Sequence, residues 1–124
     1  GSETVGTKEI VEDAGSAAEG VVYATPKFDE DNQRTAAFMT AYEERFGEES
    51  PFWAISANAY DAVQLVADAI DSKGMGSDVV KDYLYTVKDY PGTGGLLTID
   101  SAGDAVKGFQ LMVIQDGEFV SLDE

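Results

Sequence analysis

The sequence predicts an α/β fold, and three observations predict it. A short apolar run at residues 21–24 has the length and the β-branched content of a strand. Three later segments repeat apolar residues at the helical period of 3.6 residues. After residue 95 the period changes to two, and Asp116-Gly117 is a two-residue hairpin signal. Because strand and helix signals are mixed along one chain of 124 residues, the pattern is typical of a single α/β domain.

The first part of the chain predicts a short helix and then the strand. The helix covers residues 7–14 with Ile10, Val11 and Ala14 on its inward face, and it ends at Gly15. Glycine is the residue that most readily adopts the left-handed conformation found after a helix. The strand at residues 21–24 ends by Pro26, because proline has no N–H group to donate to a sheet.

Three longer helices follow. The first runs from a polar segment at residues 29–33 to Phe46 and stops at Gly47. The second begins at Ser50-Pro51, with serine as the N-cap and proline at the first helical position, and the third begins at Ser77. The residues predicted to face inward from the second helix are Ile55, Ala59, Ala62, Val63, Val66 and Ile70.

Segments with a period of two close the chain. Residues 96–99 predict a strand, residues 100–104 a turn, and residues 107–115 a long strand. Residues 118–121 predict the strand that returns from the hairpin turn. The whole pattern is therefore a short helix, a strand, three helices and then a terminal β-hairpin.

The chain is strongly acidic, with 24 Asp and Glu residues against 8 Lys and Arg residues and a formal net charge of −16. Such a surface repels nucleic acids and anionic membranes, which bind proteins through Lys and Arg. No nucleic-acid partner is therefore predicted. A solvated acidic shell, an origin in a salt-rich environment and a cation-binding function are all consistent with this charge.

The sequence contains no Cys and no His. It therefore lacks a thiol nucleophile, Ser-His pairs and the commonest zinc ligands. Helix capping and a turn explain the carboxylates at residues 29–31, Asp100 and Asp104, so no metal site is predicted. The glycine-rich segment at residues 92–95 lacks the Lys-Ser/Thr of a phosphate-binding loop. No cofactor is predicted, and the chain is not expected to be an enzyme.

Two features are candidates for binding a small ligand. Phe52 and Trp53 follow the start of the second long helix, where aromatic side chains either line a pocket or pack in the core. Glu3 could hold an ammonium group through a charge-assisted hydrogen bond. Taken alone, a carboxylate near a chain end is in most proteins an ordinary solvated charge.

Four segments resemble the leucine/isoleucine/valine-binding proteins of ABC importers, which are type I periplasmic solute-binding proteins. They are the turn Glu-Thr-Val-Gly at residues 3–6, the run at residues 14–26, the helix core Ala-Tyr-Asp-Ala-Val at residues 59–63, and residues 95–104. The resemblance covers nearly all of this chain, but only the C-terminal third of such a protein. We therefore expect the chain to be part of a larger one.

The resemblance implies a fragment of a two-lobed type I periplasmic-binding-protein fold, in which the ligand binds between the lobes. Residues 1–26 would be the end of the second lobe and a crossover. Residues 27–97 would be the helical part of the first lobe, and residues 98–124 the hinge return and the terminal hairpin.

For the site, the resemblance implies that Glu3 binds the ammonium group of the ligand. It also implies that an aromatic residue near Phe52 faces the ligand side chain. The spacing from Pro51 to the helix core is longer than the family pattern implies, which leaves either Trp53 or Ile55 at that position. The ligand class therefore stays open among branched-chain amino acids, amides, urea-like compounds and aromatic acids.

The implied function is that of the substrate-binding component of an ABC importer, periplasmic or extracellular and membrane-anchored, whose protein partner is the membrane permease. Two alternatives stay open: a ligand-sensing domain of a signalling receptor with the same fold, and a structural fragment without ligand competence. Open sheet edges and uncovered apolar patches also predict a homodimer or a segment-exchanged assembly of this piece.

Overall fold

The computed structural model describes residues 1 and 3–122, and of Glu3 it describes the backbone alone. These residues form four α-helices and six strands, which confirms the predicted α/β class. The helices are α1 Lys8–Ala14, α2 Gln33–Phe46, α3 Trp53–Lys73 and α4 Ser77–Leu84. The strands are β1 Val22–Pro26, β2 Tyr90–Gly92, β3 Gly95–Ile99, β4 Ala105–Val106, β5 Phe109–Gln115 and β6 Glu118–Ser121.

The strands form two separate antiparallel sheets of three strands each. The first sheet has the order β1-β5-β6, and its register places Val22 opposite Val113 and Pro26 opposite Phe109. The second sheet has the order β2-β3-β4. The strands β2 and β4 were not predicted, because three and two residues are too few to show a period of two.

The first sheet and α1 enclose the first hydrophobic core. Its buried residues are Ala18, Tyr23 and Ile114, and Val11 of α1 packs against them. Ile10 is 40 % exposed and Ala14 is also exposed, so their predicted inward orientation is wrong, whereas that of Val11 is confirmed. A helix of seven residues presents one narrow face to the sheet, and Val11 occupies that face.

A tight turn at Asp116-Gly117 joins β5 to β6, as predicted. The two residues have φ values of 53° and 78°, and positive φ at both positions is what a type I′ turn requires. The Glu19 carboxylate accepts a hydrogen bond from the N–H group of each residue, both at 2.8 Å. The segment after α1 thus holds the hairpin turn in place.

Helix α3 begins at Trp53 rather than at Ser50-Pro51. The Ser50 hydroxyl accepts a hydrogen bond from the Phe52 N–H group at 3.2 Å and lies 2.7 Å from the Ser56 hydroxyl. Serine therefore stabilises a turn ahead of the helix, and its bond to Ser56 fastens that turn to the first helical turn.

Helix α3 buries a different face from the predicted one. Ile55, Val63 and Val66 of the predicted stripe are 39 %, 69 % and 40 % exposed. Small residues on the other face let the helix approach its neighbours closely, and a carboxylate on that face binds the β2–β3 turn. The buried residues of α3 lie four apart and are Ala57, Asp61, Leu65 and Ala69.

The second sheet, α3 and α4 enclose the second hydrophobic core. Its buried residues are Leu65, Val87 and Leu97. The chain passes from this sheet to the first one through residues 107–108, which is why the strand predicted from residue 107 begins only at Phe109. Among the described helices, none combines the length and the apolar character that a membrane crossing requires.

Candidate ligand cleft

A cleft of about 510 Å³ lies between the first sheet and the start of α3. One wall contains Gly6, Tyr23 and Phe119, and the opposite wall is residues 50–55. Small-molecule sites are typically concave and mostly apolar, with volumes of about 300–1,000 Å³. The cleft is thus the right size for a small ligand.

The structure brings three of the four predicted site residues to this cleft. Phe52, Trp53 and Ile55 all line it. The side chain of Glu3 lies outside the described part of the chain, so its role stays a prediction. The backbone of Glu3 forms a short 3-10 turn that leads directly to Gly6 in the opposite wall.

Trp53 both lines the pocket and packs against neighbouring side chains, the two roles that the sequence left open. Its ring makes edge contacts with Phe38, at a centroid distance of 6.2 Å, and with Tyr42, at 5.3 Å. These contacts to α2 fix the orientation of the indole. The side chain is half-buried and also lines the cleft.

Sequence reasoning missed three aromatic residues of the cleft. Tyr23, Phe28 and Phe119 line it together with Phe52 and Trp53. Phe119 lies in the returning strand of the terminal hairpin, and it reaches Tyr23 only because β5 pairs with both β1 and β6. No local signal in the sequence could have predicted this contact between Phe119 and Tyr23.

Tyr23 and Gly6 are packed directly against each other. A Cβ built at Gly6 would lie 2.6 Å from the Tyr23 hydroxyl and ring, so a larger residue would displace the ring from the wall. Phe119 contacts the same ring edge-on at 6.3 Å, and Tyr23 is 5 % exposed. Burial raises the pKa of Tyr23 above its ordinary value of 10.0.

This burial predicts a loss of stability at alkaline pH. Between pH 10.0 and the raised pKa of Tyr23, the unfolded chain releases the proton while the folded chain keeps it. The contribution of Tyr23 to the free energy of unfolding is therefore complete below this pH range. It is lost as the pH rises through the pKa that Tyr23 has in the folded chain. As the pH rises from about 9 to about 11, we expect the free energy of unfolding to fall less in Tyr23→Phe than in the unmodified chain, measured by urea unfolding. The same decline in both proteins would contradict this assignment.

The charged residues of the cleft lie at its mouth. Lys8 and Glu49, which both line the cleft, form an ion pair at 3.4 Å, and both side chains are largely exposed. Such exposed pairs contribute little stability. Glu30 and Glu48 also line the cleft, so its mouth is negative in balance.

A second polar cluster holds the β2–β3 hairpin. The buried Asp61 carboxylate accepts hydrogen bonds from the Thr93 N–H group at 2.6 Å and from the Gly94 N–H group at 3.0 Å. The Thr35 hydroxyl of α2 donates to the Thr93 carbonyl at 2.7 Å. A Cβ at Gly92 would collide with the Asp61 carboxylate, so this glycine permits the close approach. The glycine-rich segment is therefore a hairpin turn bound by a carboxylate, in which the turn N–H groups are already used.

The sequence profile of the periplasmic binding protein family matches residues 3–118. The chain belongs to the periplasmic binding protein family. Among curated protein sequences, none matches it significantly.

Solved structures related to this periplasmic binding protein share its fold. A leucine-binding protein of Thermotoga maritima has a TM-score of 0.80 at 25 % identity, over 97 % of this chain and 35 % of that one. The branched-chain amino acid transporter substrate-binding protein of Streptococcus pneumoniae, in complex with isoleucine, has a TM-score of 0.78 at 27 % identity, over 98 % and 36 %. An ABC transporter substrate-binding protein of Desulfitobacterium hafniense has a TM-score of 0.69 at 28 % identity, over 89 % and 33 %.

These matches confirm the resemblance to leucine/isoleucine/valine-binding proteins of the type I periplasmic-binding fold. This periplasmic binding protein chain spans about a third of the length of those structures.

Proposed function

We propose that this chain is the C-terminal part of the substrate-binding component of an ABC importer for branched-chain or related small amino acids. The observation that carries the proposal is the cleft, whose wall at residues 50–55 holds Phe52, Trp53 and Ile55. The similarity of the whole chain to a leucine-binding protein supports it. In this function the protein binds and delivers a solute and performs no covalent chemistry.

The ligand would lie between the two walls, and each wall would bind a different part of it. Glu3 holds the ammonium group through a charge-assisted hydrogen bond. Trp53 and Ile55 contact the side chain of the ligand, and Phe52 borders it. The aromatic lining, to which Tyr23 and Phe119 contribute, favours an apolar side chain over a charged one.

The lobes of this protein would divide the chain as the resemblance implies. Residues 1–26 end the second lobe, residues 27–97 belong to the first, and residues 98–124 return across the hinge. The pairing of β1 with β5 and their shared hydrophobic core support this division. The whole protein would act in the periplasm or at the cell exterior, where its partner is the membrane permease of the importer.

The isolated chain would leave apolar surface uncovered in this arrangement. Val63 of α3 and Phe109 of β5 are 69 % and 64 % exposed. Such side chains support the self-association predicted for this piece, as a dimer or with exchanged segments.

Calorimetric titration with leucine, isoleucine, valine and alanine tests the proposal. We expect the full-length protein to bind at least one of them. We expect the 124-residue chain to bind weakly or not at all, since the family resemblance implies that the ligand carboxylate is held by Ser/Thr and backbone N–H groups of the first lobe that would lie outside this chain. In the full-length protein, Glu3→Gln should weaken binding by about 1.5–3 kcal/mol, the range for a hydrogen bond to a charged group.

Glu12→Gln, an exposed carboxylate on α1, is the matched control and should leave the affinity unchanged. Normal binding by Glu3→Gln would make Glu3 an ordinary surface charge. A full-length protein that binds none of the four amino acids would contradict the proposed ligand class.

A further inference from the structure

The segment that joins the two sheets and the start of the segment that follows β1 run side by side. Residues 107–108 join β4 to β5, and Lys27 follows β1. The Lys27 N–H group donates to the Gly108 carbonyl at 2.8 Å, next to the pair of Pro26 and Phe109. One wall of the cleft belongs to the first sheet and the other to the start of α3. The path of these segments therefore influences the distance between the walls.

Lys107 fastens one of these segments to α3. Its half-buried ammonium group donates to the side-chain oxygen of Asn58. A Cβ built at Gly94 would lie 2.6 Å from Lys107 Nζ and 2.9 Å from Asn58 Oδ1, so the ammonium group rests on the turn at Thr93-Gly94. Asp61, about one helical turn beyond Asn58, is the titratable group whose charge acts on it.

The ammonium group occupies a costly position. Burial lowers the pKa of Lys107, and Asp61 raises it by less. An apolar side chain could fill the same space without removing a charge from water. What the ammonium group adds is a set of directional hydrogen-bond donors, which hold the connecting segment at one position relative to α3.

We propose that Lys107 is a positioning residue that sets the width of the cleft by tying the segment between the two sheets to α3 and to the Thr93-Gly94 turn. Its effect on ligand binding rests on the proposed function, because that function makes the cleft the ligand site. Lys107 does not line the cleft, so it acts through the position of the wall at residues 50–55.

Trp53 provides a direct measurement of the cleft, since it is the one tryptophan in the sequence and lies in the wall. Lys107→Met keeps the apolar stem and removes the ammonium group. In the folded 124-residue variant without ligand, we expect the acrylamide quenching constant of Trp53 to rise about 1.5-fold or more, because the wall is no longer held in one position. Lys88→Met, at an exposed lysine, should leave the constant unchanged.

A lower unfolding midpoint with unchanged quenching would show that Lys107 only stabilises the fold, and would overturn the proposal. Should Lys107→Met not fold, Asn58→Leu removes the same contact from α3 and should raise the quenching constant equally. Unchanged quenching in a folded Asn58→Leu variant would also overturn it.

A titration with leucine distinguishes a failure of this inference from a failure of the proposed function. In the full-length protein, Lys107→Met should raise the Kd for leucine about tenfold, which corresponds to about 1.4 kcal/mol. If the unmodified protein binds none of the amino acids tested, the proposed function fails, and the quenching of Trp53 still decides the positioning role. If quenching is unchanged, the positioning role fails whatever the leucine result.

Discussion

Replacing Asp61 by alanine is expected to lower the free energy of unfolding by about 3 kcal/mol, the sum of two hydrogen bonds to a charged group at about 1.5 kcal/mol each. Asp61 is 3 % exposed, and its carboxylate accepts hydrogen bonds from the N–H groups of Thr93 and Gly94. Without it, both donors stay in a buried turn with no acceptor. Lys107 also loses an opposite charge that raises its pKa. Urea unfolding followed by circular dichroism measures the change.

Two further variants make this prediction specific. Asp61→Asn keeps one acceptor oxygen and should lose about half as much stability as the alanine variant. Asp71→Ala removes an exposed carboxylate from the same helix and should change the free energy of unfolding by less than about 0.5 kcal/mol. Equal effects of Asp61→Ala and Asp71→Ala would mean that the carboxylate of Asp61 does not hold the hairpin.

Replacing Ile114 by alanine is expected to lower the free energy of unfolding by about 3 kcal/mol, within the range for large-to-small core substitutions. Ile114 is fully buried in the first core, where Ala18 and Tyr23 are also buried. The variant loses buried apolar surface and leaves a cavity behind the cleft wall that contains Tyr23. The same urea unfolding experiment measures this change in the free energy of unfolding.

Ile10→Ala is the matched control, since it removes the same atoms from a residue of α1 that is 40 % exposed. We expect it to lower the free energy of unfolding by about 1 kcal/mol or less. If the two alanine variants lost the same stability, the assignment of Ile114 to the core and of Ile10 to the surface would be wrong.

Both two-residue hairpin turns are held by a carboxylate from a distant part of the chain. Glu19 binds the N–H groups of Asp116 and Gly117, and Asp61 binds those of Thr93 and Gly94. A tight turn leaves such N–H groups without partners in the strands, and an ionised acceptor satisfies two of them at once. In an acidic chain, some of the carboxylates therefore serve the fold rather than the solvated surface.

Local signals in the sequence predicted the ends of several elements correctly. The polar segment before α2 supplies its N-cap, because the Asn32 side chain accepts from the Arg34 N–H group at 2.9 Å. Gly47 ends the same helix in the left-handed conformation, with φ of 77°. The turn at Asp116-Gly117 was also predicted, because its conformation depends on two adjacent residues.

The candidate cleft could be predicted only in part. Phe52, Trp53 and Ile55 were found because they are adjacent in the sequence, close to a helix start that the family resemblance also marks. Tyr23 and Phe119 were missed because the pairing of β1, β5 and β6 brings them together over a long separation in the chain.

The sequence by itself determined the α/β class, the family and the turns and helix ends that depend on neighbouring residues. Only the tertiary structure decided which face of α3 is buried. Apolar residues lie on more than one side of that helix, and the hydrophobic effect has no direction of its own. The buried side is the one that fits against the neighbouring elements. The small side chain of Ala57 lets the Thr93-Gly94 turn approach, and Asp61 binds that turn. The same reasoning holds for the cleft, whose walls meet only when the first sheet and the start of α3 are in place.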